Sequence, residues 1–301
     1  LHAYQAEASG QAPFDYIIFA DADTTFHPDC LFATLALRDR CQLDMLSLMS
    51  TLSASTWFEL CVQPVAGFQL LIQYPPRRAN RVADRRPIGN GQFMLFTRDC
   101  YQRIEGHLHV KEHLLEDIAL ARIVHRSSMN PGFLPAAGML HCEMYRNWPQ
   151  FQRGWKRIFS ELCSRNPGRL RKYATRLLIF SGIVPTGALC AALVGVAVTA
   201  TTGHLLGWIT AAMGLCALAI MFTATAVGAT WSKTPLAAAL FHPLGAWLTF
   251  RIMFAAAAEI DRGEPILWGG RSYDPRVPLE GLMWFAPPAP DSSSPESASP
   301  A

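Results

Sequence analysis

Charged residues are scarce in the second half of this chain. Residues 177–258 contain no Asp or Glu, and Lys233 and Arg251 are their only Lys or Arg residues. A soluble domain has about a quarter of its residues charged, so this composition excludes a soluble domain in that region. It predicts membrane segments, because a bilayer crossing needs about 20 apolar residues in succession. Three apolar runs satisfy this requirement, at about 177–200, 204–229 and 235–258.

Paired cysteines are also lacking. The eight cysteines are scattered without a C-x-x-C pair, and two of them lie in the apolar runs. This spacing excludes a disulfide framework and a cysteine-rich zinc site, and it predicts reduced thiols in a cytoplasmic environment. The chain also begins with Leu and has no basic and apolar leader, so we expect it to be incomplete at its N terminus.

The composition divides the chain into four parts. Residues 1–176 alternate strand-like and helix-like segments, which predicts an α/β layer with a largely parallel sheet. Residues 177–259 hold two or three membrane helices, the third run being the weakest because it contains a histidine, a proline and an arginine. A juxtamembrane segment spans 260–285. The Pro- and Ser-rich tail, 286–301, is predicted to be disordered.

The basic residues predict the orientation in the membrane. Lys and Arg are concentrated between Arg153 and Arg176, directly before the first apolar run, whereas the TTGH loop after that run has none. By the positive-inside rule the α/β domain of this multi-pass protein faces the cytoplasm, at the cell (inner) membrane. Three crossings would place the arginines of 260–276 outside, so the third run either crosses against the rule or re-enters.

Two carboxylates follow the first predicted strand. The apolar stretch DYIIFA, residues 15–20, is typical of a buried strand, and Asp21 and Asp23 come directly after it. Alternate residues share a face, so the two carboxylates repel unless a hard cation such as Mg²⁺ or Mn²⁺ lies between them. The alternative is a polar loop in which one of them caps a helix that begins near Pro28.

A second acidic pair, Glu116 and Asp117, lies near the start of the predicted helix LLEDIALARIVHR. Taken alone, it could simply complement the positive end of the helix dipole. About 25 residues earlier, a glycine turn leads into a predicted strand and then a helix capped by Thr97. The turn comprises Gly89, Asn90, Gly91 and Gln92.

In this order the motifs resemble family 2 glycosyltransferases of the GT-A fold, a Rossmann-like α/β fold. The resemblance extends over about 15–273 and is greatest to the membrane-anchored branch that includes carotenoid glycosyltransferases. Ceramide glucosyltransferase-like and hopanoid-associated enzymes are more distantly similar. The stretches that carry it are DYIIFADADT, IGNGQFMLFTRDCY, GHLHVKEHLLEDIALAR, MYRNWPQFQRGW and, weakly, ILWGGRSY.

The resemblance implies an inverting, metal-dependent hexosyltransferase. Asp117 matches the general base, and Glu116 would orient that base or a sugar hydroxyl. Asp21 and Asp23 would hold Mg²⁺ or Mn²⁺ against the diphosphate leaving group. His141 would be a further metal ligand, or else a core histidine. The other implied donor contacts are Gly89, Asn90, Gly91, Gln92, Gln150, Arg153 and Trp155.

Two departures from the family pattern affect this interpretation. Relatives that polymerise sugars carry Q-x-x-R-W, whereas here Gly154 stands between Arg153 and Trp155. This insertion argues against a processive polysaccharide synthase and for one or a few transfers. Family members also have further β-α units before the D-x-D strand, which hold most of the nucleotide base. We therefore expect this chain to lack part of the donor site.

Two segments are expected to meet the membrane. Segment 57–74 is apolar but interrupted, so it could be a core helix, a span or a helix at the membrane surface. The surface helix is preferred, because a single crossing would separate Asp23 from Asp117. The loop that follows is either a solvated basic turn or a site for anionic head groups. Its arginines are Arg77, Arg78, Arg81, Arg85 and Arg86.

The predicted function is transfer of a sugar from a nucleotide-diphosphate donor, expected to be UDP-linked, to a membrane lipid hydroxyl of the carotenoid, hopanoid or glycerolipid type. Two alternatives stay open. One is a polyprenyl-phosphate acceptor, which the arginine loop would suit. The other is a non-catalytic membrane scaffold that keeps a truncated glycosyltransferase fold. No nucleic-acid partner is expected.

Overall fold

The computed structural model describes residues 14–81, 86–111 and 113–276. Arg85 of the arginine loop and the predicted disordered tail 286–301 lie outside the described residues. Within them the protein is mixed α/β: an α/β unit comes first, long apolar helices follow, and a short β-hairpin ends the described chain. The predicted α/β class and the helical region after it are therefore confirmed at this level.

Nine short strands are present in the described part of the chain. They are β1 (Tyr16–Phe19), β2 (Thr24–Phe26), β3 (Met45–Met49), β4 (Thr51–Leu52), β5 (Met94–Thr97), β6 (Pro131–Pro135), β7 (Leu140–Cys142), β8 (Ile266–Trp268) and β9 (Arg271–Tyr273). The largest sheet has the order β1-β5-β3-β6, and a smaller one has the order β2-β7-β4. Strands β8 and β9 form a hairpin.

The main sheet is mixed, so the predicted largely parallel sheet is wrong. Strand β5 runs antiparallel to both of its neighbours, β1 and β3, while β3 and β6 are parallel. The interior of this layer consists of side chains from β3 and β5, such as Leu46, Leu95 and Phe96, all fully buried. Burial of such apolar side chains is the main source of stability of the layer.

The helices of the α/β unit are short and begin where local caps place them. Thr97 is confirmed as an N-cap, since its Oγ1 accepts the N–H of Cys100 at 3.2 Å. Asn147 likewise accepts the N–H of Gln150 at 3.1 Å. These helices are α1 (Cys30–Cys41), α2 (Trp57–Cys61), α3 (Gln63–Gln73), α4 (Pro76–Ala79), α5 (Arg98–Arg103), α6 (Glu116–Arg126), α7 (Trp148–Leu162) and α8 (Pro167–Leu177).

Three helices in the described chain are long and apolar enough to cross a membrane, which is consistent with the predicted membrane association. Helix α8 continues through a π-helical segment (Leu178–Ile183) into α9 (Val184–Thr202). Helix α10 (Leu205–Trp231) returns beside α9. A 3₁₀ turn (Leu236–Phe241) then leads into α11 (His242–Arg262).

Helices α9 and α10 form a tight antiparallel pair. A Cβ on Gly195 would lie 2.4 Å from the backbone N of Ala211, and one on Gly214 would lie 2.5 Å from the carbonyl oxygen of Ala188. Only glycine permits this backbone approach. Close packing through small residues is how helices associate in lipid, where the hydrophobic effect does not hold them together.

Helix α11 packs differently, because it contributes to the core of the α/β unit. Ala246, Met253 and Ala257 are fully buried in the same cluster as Phe151 and Phe159 of α7. Lys156 and Glu259 form an ion pair between the two helices, and so do Arg171 of α8 and Asp261 of α11.

Candidate functional site

The D-x-D pair lies in the turn between β1 and β2. The carbonyl oxygen of Asp21 accepts bonds from the backbone N–H and the hydroxyl of Thr24, at 3.3 and 2.6 Å. Helix α1 has Asp29 as its N-cap, so the alternative in which Asp21 or Asp23 caps that helix is wrong. Both carboxylates are left at the edge of the sheet, where β1 ends.

The glycine turn before β5 lies directly against the start of α6. The N–H of Gly91 donates to Oδ2 of Asp117 at 2.9 Å. A Cβ on Gly89 would lie 2.4 Å from the carbonyl oxygen of Asp117, so the turn can approach the helix only because this residue is glycine. A Cβ on Gly91 would lie 3.7 Å from Asp117 Oδ2 and 3.9 Å from Asp21 Oδ1. The three acidic or glycine-rich motifs therefore converge here.

Asn90 and Gln92 hold the turn in place from within. The amide of Asn90 donates to the carbonyl oxygen of Leu48 at 3.1 Å and to Oε1 of Gln92 at 2.9 Å. Gln92 is buried, and its Nε2 lies 3.1 Å from the Sγ of Cys142. That Sγ is in turn 3.5 Å from Oδ1 of Asp23. These side chains connect the glycine turn to the D-x-D turn.

The negative charges at the site are not balanced. Burial, together with the neighbouring carboxylates of Asp23 and Glu116, raises the pKa of Asp21 above its ordinary value. Burial and the Glu116 carboxylate also raise the pKa of Asp117 to about 6, although the N–H groups of Gly91 and Ile118 act in the opposite direction. A carboxyl group with such a pKa can exchange a proton near neutral pH.

Arg157 is the positive group opposed to these carboxylates, and the sequence motifs did not single it out. Its charge lowers the pKa of both Asp21 and Asp117. It lies on α7, with Nη1 3.4 Å from the carbonyl oxygen of Leu114 and Cζ 3.6 Å from the ring centroid of Trp268. The helical repeat could have indicated it, because Arg157 is one turn beyond Arg153.

Four other predicted site residues, on α7 and β7, differ in how far they are exposed. Gln150 and Arg153 are exposed on α7, whereas Trp155 is only 2% exposed and packs between Phe151 and Phe159. Trp155 thus holds α7 in the core and has no surface to offer a donor. His141 is on the exposed face of β7, while its neighbour Cys142 is the residue directed at Asp23.

Asp21 and Asp23 fit a Mg²⁺ or Mn²⁺ site that a phosphate-bearing ligand would complete. Partial burial, and after it the carboxylates of Asp23 and Glu116, raises the pKa of Asp21, and a cation bound beside Asp21 and Asp23 would offset this charge. Mg²⁺ is commonly bound by one or two carboxylates together with substrate phosphates and water. Within the residues that the structure describes, no group of three or more His, Cys, Asp or Glu side chains is arranged to hold a metal by itself.

A cavity of about 250 Å³ opens beside Glu116, between the start of α6 and the β8–β9 hairpin. Its polar lining includes His107, Lys111, Arg271 and Tyr273.

No protein-family model matches this chain, and no curated protein matches it in sequence. The function is therefore inferred from the geometry of the site.

Proposed function

We propose that this protein is a membrane-bound, inverting glycosyltransferase of the GT-A type that moves a sugar from a nucleotide-diphosphate donor to a lipid hydroxyl. The observation that carries the proposal is the convergence of Asp21, Gly91 and Asp117. The charge of Arg157 acts on Asp21 and Asp117, the carboxylates of Asp23 and Glu116 are their neighbours, and Glu116 lines an open cavity. This arrangement suits a ligand that brings its own phosphates and cation.

Asp117 is suited to the role of general base. Gly91 holds Oδ2 through its N–H, which fixes the direction of the carboxylate. With a pKa of about 6, Asp117 is mostly ionised at neutral pH, and it is more basic than an ordinary aspartate. It can therefore take the proton of an acceptor hydroxyl as that oxygen attacks the sugar. Burial, and after it the charge of Glu116 one residue earlier, keeps that pKa high.

Asp21 and Asp23 are assigned the role of stabilising the leaving group. When bound between them, Mg²⁺ or Mn²⁺ would neutralise the diphosphate as it departs. Arg157 contributes a positive charge that favours the ionised form of both Asp21 and Asp117. In this division of roles the base and the leaving group act on opposite faces of the sugar, as an in-line displacement with inversion requires.

The acceptor is expected to be a lipid, and the α/β unit is expected to lie on the cytoplasmic face of the membrane. Helices α2 and α3 expose Trp57, Phe68 and Ile72, each about half accessible. These apolar side chains suit a surface that rests in the membrane interface. The polyprenyl-phosphate acceptor and the non-catalytic scaffold are the alternatives that the experiment below distinguishes.

The test is sugar transfer by membranes that contain the full-length protein as its gene encodes it. Labelled UDP-sugars would be supplied with Mg²⁺ or Mn²⁺, and label in the lipid extract would be counted. We expect transfer that EDTA abolishes and that the Asp21→Asn/Asp23→Asn variant loses. Asp29→Asn is the matched control, because Asp29 is exposed and its side chain makes no capping bond.

The product and the control separate the alternatives. Label that resists mild alkali but not mild acid would point to a polyprenyl-phosphate product instead of a glycoside of a lipid hydroxyl. Absence of transfer with every UDP-, GDP- and dTDP-sugar tested would overturn the enzyme proposal and favour the scaffold.

A further inference from the structure

The β8–β9 hairpin comes after the long apolar helices in the sequence, yet it lies against the acidic site. The ring of Trp268 faces the guanidinium of Arg157, at 3.6 Å from Cζ to the ring centroid. Nη1 of Arg271 donates to the carbonyl oxygen of Lys111 at 2.8 Å, in the segment that leads to α6. Two contacts at separate points therefore hold the hairpin on the α/β unit.

The direction of the Arg157 side chain depends on this ring. Its Nε is buried and has no hydrogen-bond partner among the described residues, and its Nη1 donates only a long hydrogen bond to the carbonyl oxygen of Leu114, at 3.4 Å. Stacking on an aromatic face is a strong constraint for a planar guanidinium that is partly removed from water. Without Trp268, the guanidinium would be free to turn toward solvent.

We propose that Trp268 is a positioning residue: it fixes the Arg157 guanidinium in the orientation from which its charge acts on the carboxylates of Asp21 and Asp117. A segment beyond the membrane helices thus completes the site. The effect of Trp268 on the reaction rate rests on the proposed function. The docking of the β8–β9 hairpin on the α/β unit does not depend on that function, so it can be tested separately.

The first arm follows sugar transfer against pH in three hairpin variants. Trp268→Ala should move the acidic limb of the rate profile to higher pH, because the guanidinium lowers the pKa of Asp117. Trp268→Phe should restore the wild-type midpoint in part, since a phenyl ring also stacks. Leu267→Ala is the control, as Leu267 is highly exposed on the other face of β8. A merely structural role would lower the rate equally at every pH.

The second arm measures docking without catalysis. Lys111→Cys and Arg271→Cys would be combined after replacing the exposed native cysteines, which are Cys41, Cys190 and Cys216. A short bis-maleimide should bridge the two introduced thiols in the intact protein, as detected by peptide mass mapping. Absence of the bridge, or an unmoved pH midpoint in Trp268→Ala, would overturn the positioning role. A bridged protein that transfers no sugar would instead overturn the proposed function.

A second inference comes from α11 and does not depend on function. The continuous helix 167–202 has 36 residues, about 54 Å, whereas about 20 residues cross the hydrocarbon core. Its first part must therefore lie outside that core. Helix α11 packs against this first part, on α8 and the π-helical segment, while α9 and α10 pack against each other.

Both ends of α11 also touch the α/β unit. Near its start, a Cβ on Gly245 would lie 2.0 Å from the carbonyl oxygen of Cys61 in α2. Near its end, Glu259 and Asp261 form ion pairs with Lys156 and Arg171. A helix that crosses the bilayer cannot touch one soluble unit at both ends, because the core is about 30 Å thick.

We infer that α9 and α10 cross the bilayer and that α11 lies at its surface, on the side of the α/β unit. This arrangement places Arg262, Arg271 and Arg276 on the same side as the basic residues before α8, in agreement with the positive-inside rule. Nη1 of Arg165 donates to the carbonyl oxygen of Asp274 at 2.8 Å. Arg165 precedes α8 and Asp274 follows α11, so this bond requires both residues to lie on the same side of the membrane.

The test is labelling of single cysteines with a membrane-impermeant maleimide in right-side-out and inverted vesicles. Ser272→Cys should be labelled in the same vesicles as Asp29→Cys, and His204→Cys, at the α9–α10 turn, in the opposite ones. All three positions are exposed. Labelling of Ser272→Cys together with His204→Cys would mean three crossings and overturn the inference. Vesicles opened with detergent would give the total labelling possible at each introduced cysteine.

Discussion

The sharpest prediction concerns Asp117→Asn, which separates catalysis from stability. An amide cannot take the acceptor proton near neutral pH, so sugar transfer should fall by about 10²- to 10⁴-fold. UDP affinity in the presence of Mn²⁺ should stay within a few-fold, since Asp21 and Asp23 are unchanged. The rate would be measured on lipid extracts, and the affinity by titration calorimetry in detergent.

The same variant should be relatively more stable at higher pH. The pKa of Asp117 is raised from 3.8 to about 6 in the folded protein, so the native state holds the proton more tightly than the unfolded state. Stability contributed by this group is complete below about pH 4 and is lost as pH rises through 6. A shift of about two units corresponds to about 3 kcal/mol. Asn carries no such cost, so the difference between variant and wild type should change by about 3 kcal/mol over this range.

A constant offset accompanies this pH-dependent effect. Asp117 accepts N–H bonds from Gly91 and Ile118, at 2.9 and 2.7 Å, and an amide can accept only one of them. The unpaired donor costs about 1–3 kcal/mol at every pH. Thermal unfolding in detergent at about pH 4 and pH 7 would measure both effects. If the variant transfers sugar within a few-fold of wild type, Asp117 is not the base. If its relative stability does not change with pH, Asp117 does not carry a raised pKa.

Three further predictions follow from the same geometry. Glu116→Gln should lower the rate of transfer less than Asp117→Asn does. It should also move the acidic limb of the pH–rate profile to lower pH, because the Glu116 charge raises the pKa of Asp117. An acidic limb at the wild-type pH would contradict this prediction. Gly91→Ala should fold normally but lose transfer, since its methyl group would lie within 4 Å of both Asp117 Oδ2 and Asp21 Oδ1. Gly89→Ala should also lower the melting temperature, because its Cβ would clash with the carbonyl oxygen of Asp117. Equal melting temperatures of the two variants would refute the distinction. Gly245→Ala should destabilise the protein by about 2 kcal/mol or more, because its Cβ would clash with the carbonyl oxygen of Cys61. Gly187→Ala is the control and should not destabilise it, since a Cβ there would have no atom within 4 Å. Equal unfolding curves for the two variants would count against the docking of α11.

The packing of α11 also changes how the α/β unit can be studied. Ala246, Met253 and Ala257 are part of its core, so a chain cut before Arg176 would expose the apolar face that α11 covers. We expect such a fragment to aggregate. Membrane binding by the arginine loop is therefore better tested in the full chain. Arg77 and Arg78 lie in α4 and in its last turn, and Asn80 holds the loop to β6 through two bonds with Phe133.

The sequence by itself determined the local elements of this protein. Strand β1, the capped starts of α5 and α7, and the long apolar helices could all be predicted, because each depends on signals a few residues apart. It also indicated that Asp21, Asp23 and Asp117 belong to one site. The helices α9 and α10 were equally clear, since length and apolarity alone predict a crossing.

Only the tertiary structure decided how these elements meet. The antiparallel insertion of β5 between β1 and β3 depends on long-range pairing, which no local pattern reveals. Strand alternation in β7 directs Cys142, not His141, toward Asp23, and the register of that strand is set by its partners. Arg157 is matched with Trp268 across more than a hundred residues of chain. Helix α11 has the composition of a span, and its complementary fit to α7 and α8 buries residues such as Ala246 and Met253 in the core of the α/β unit.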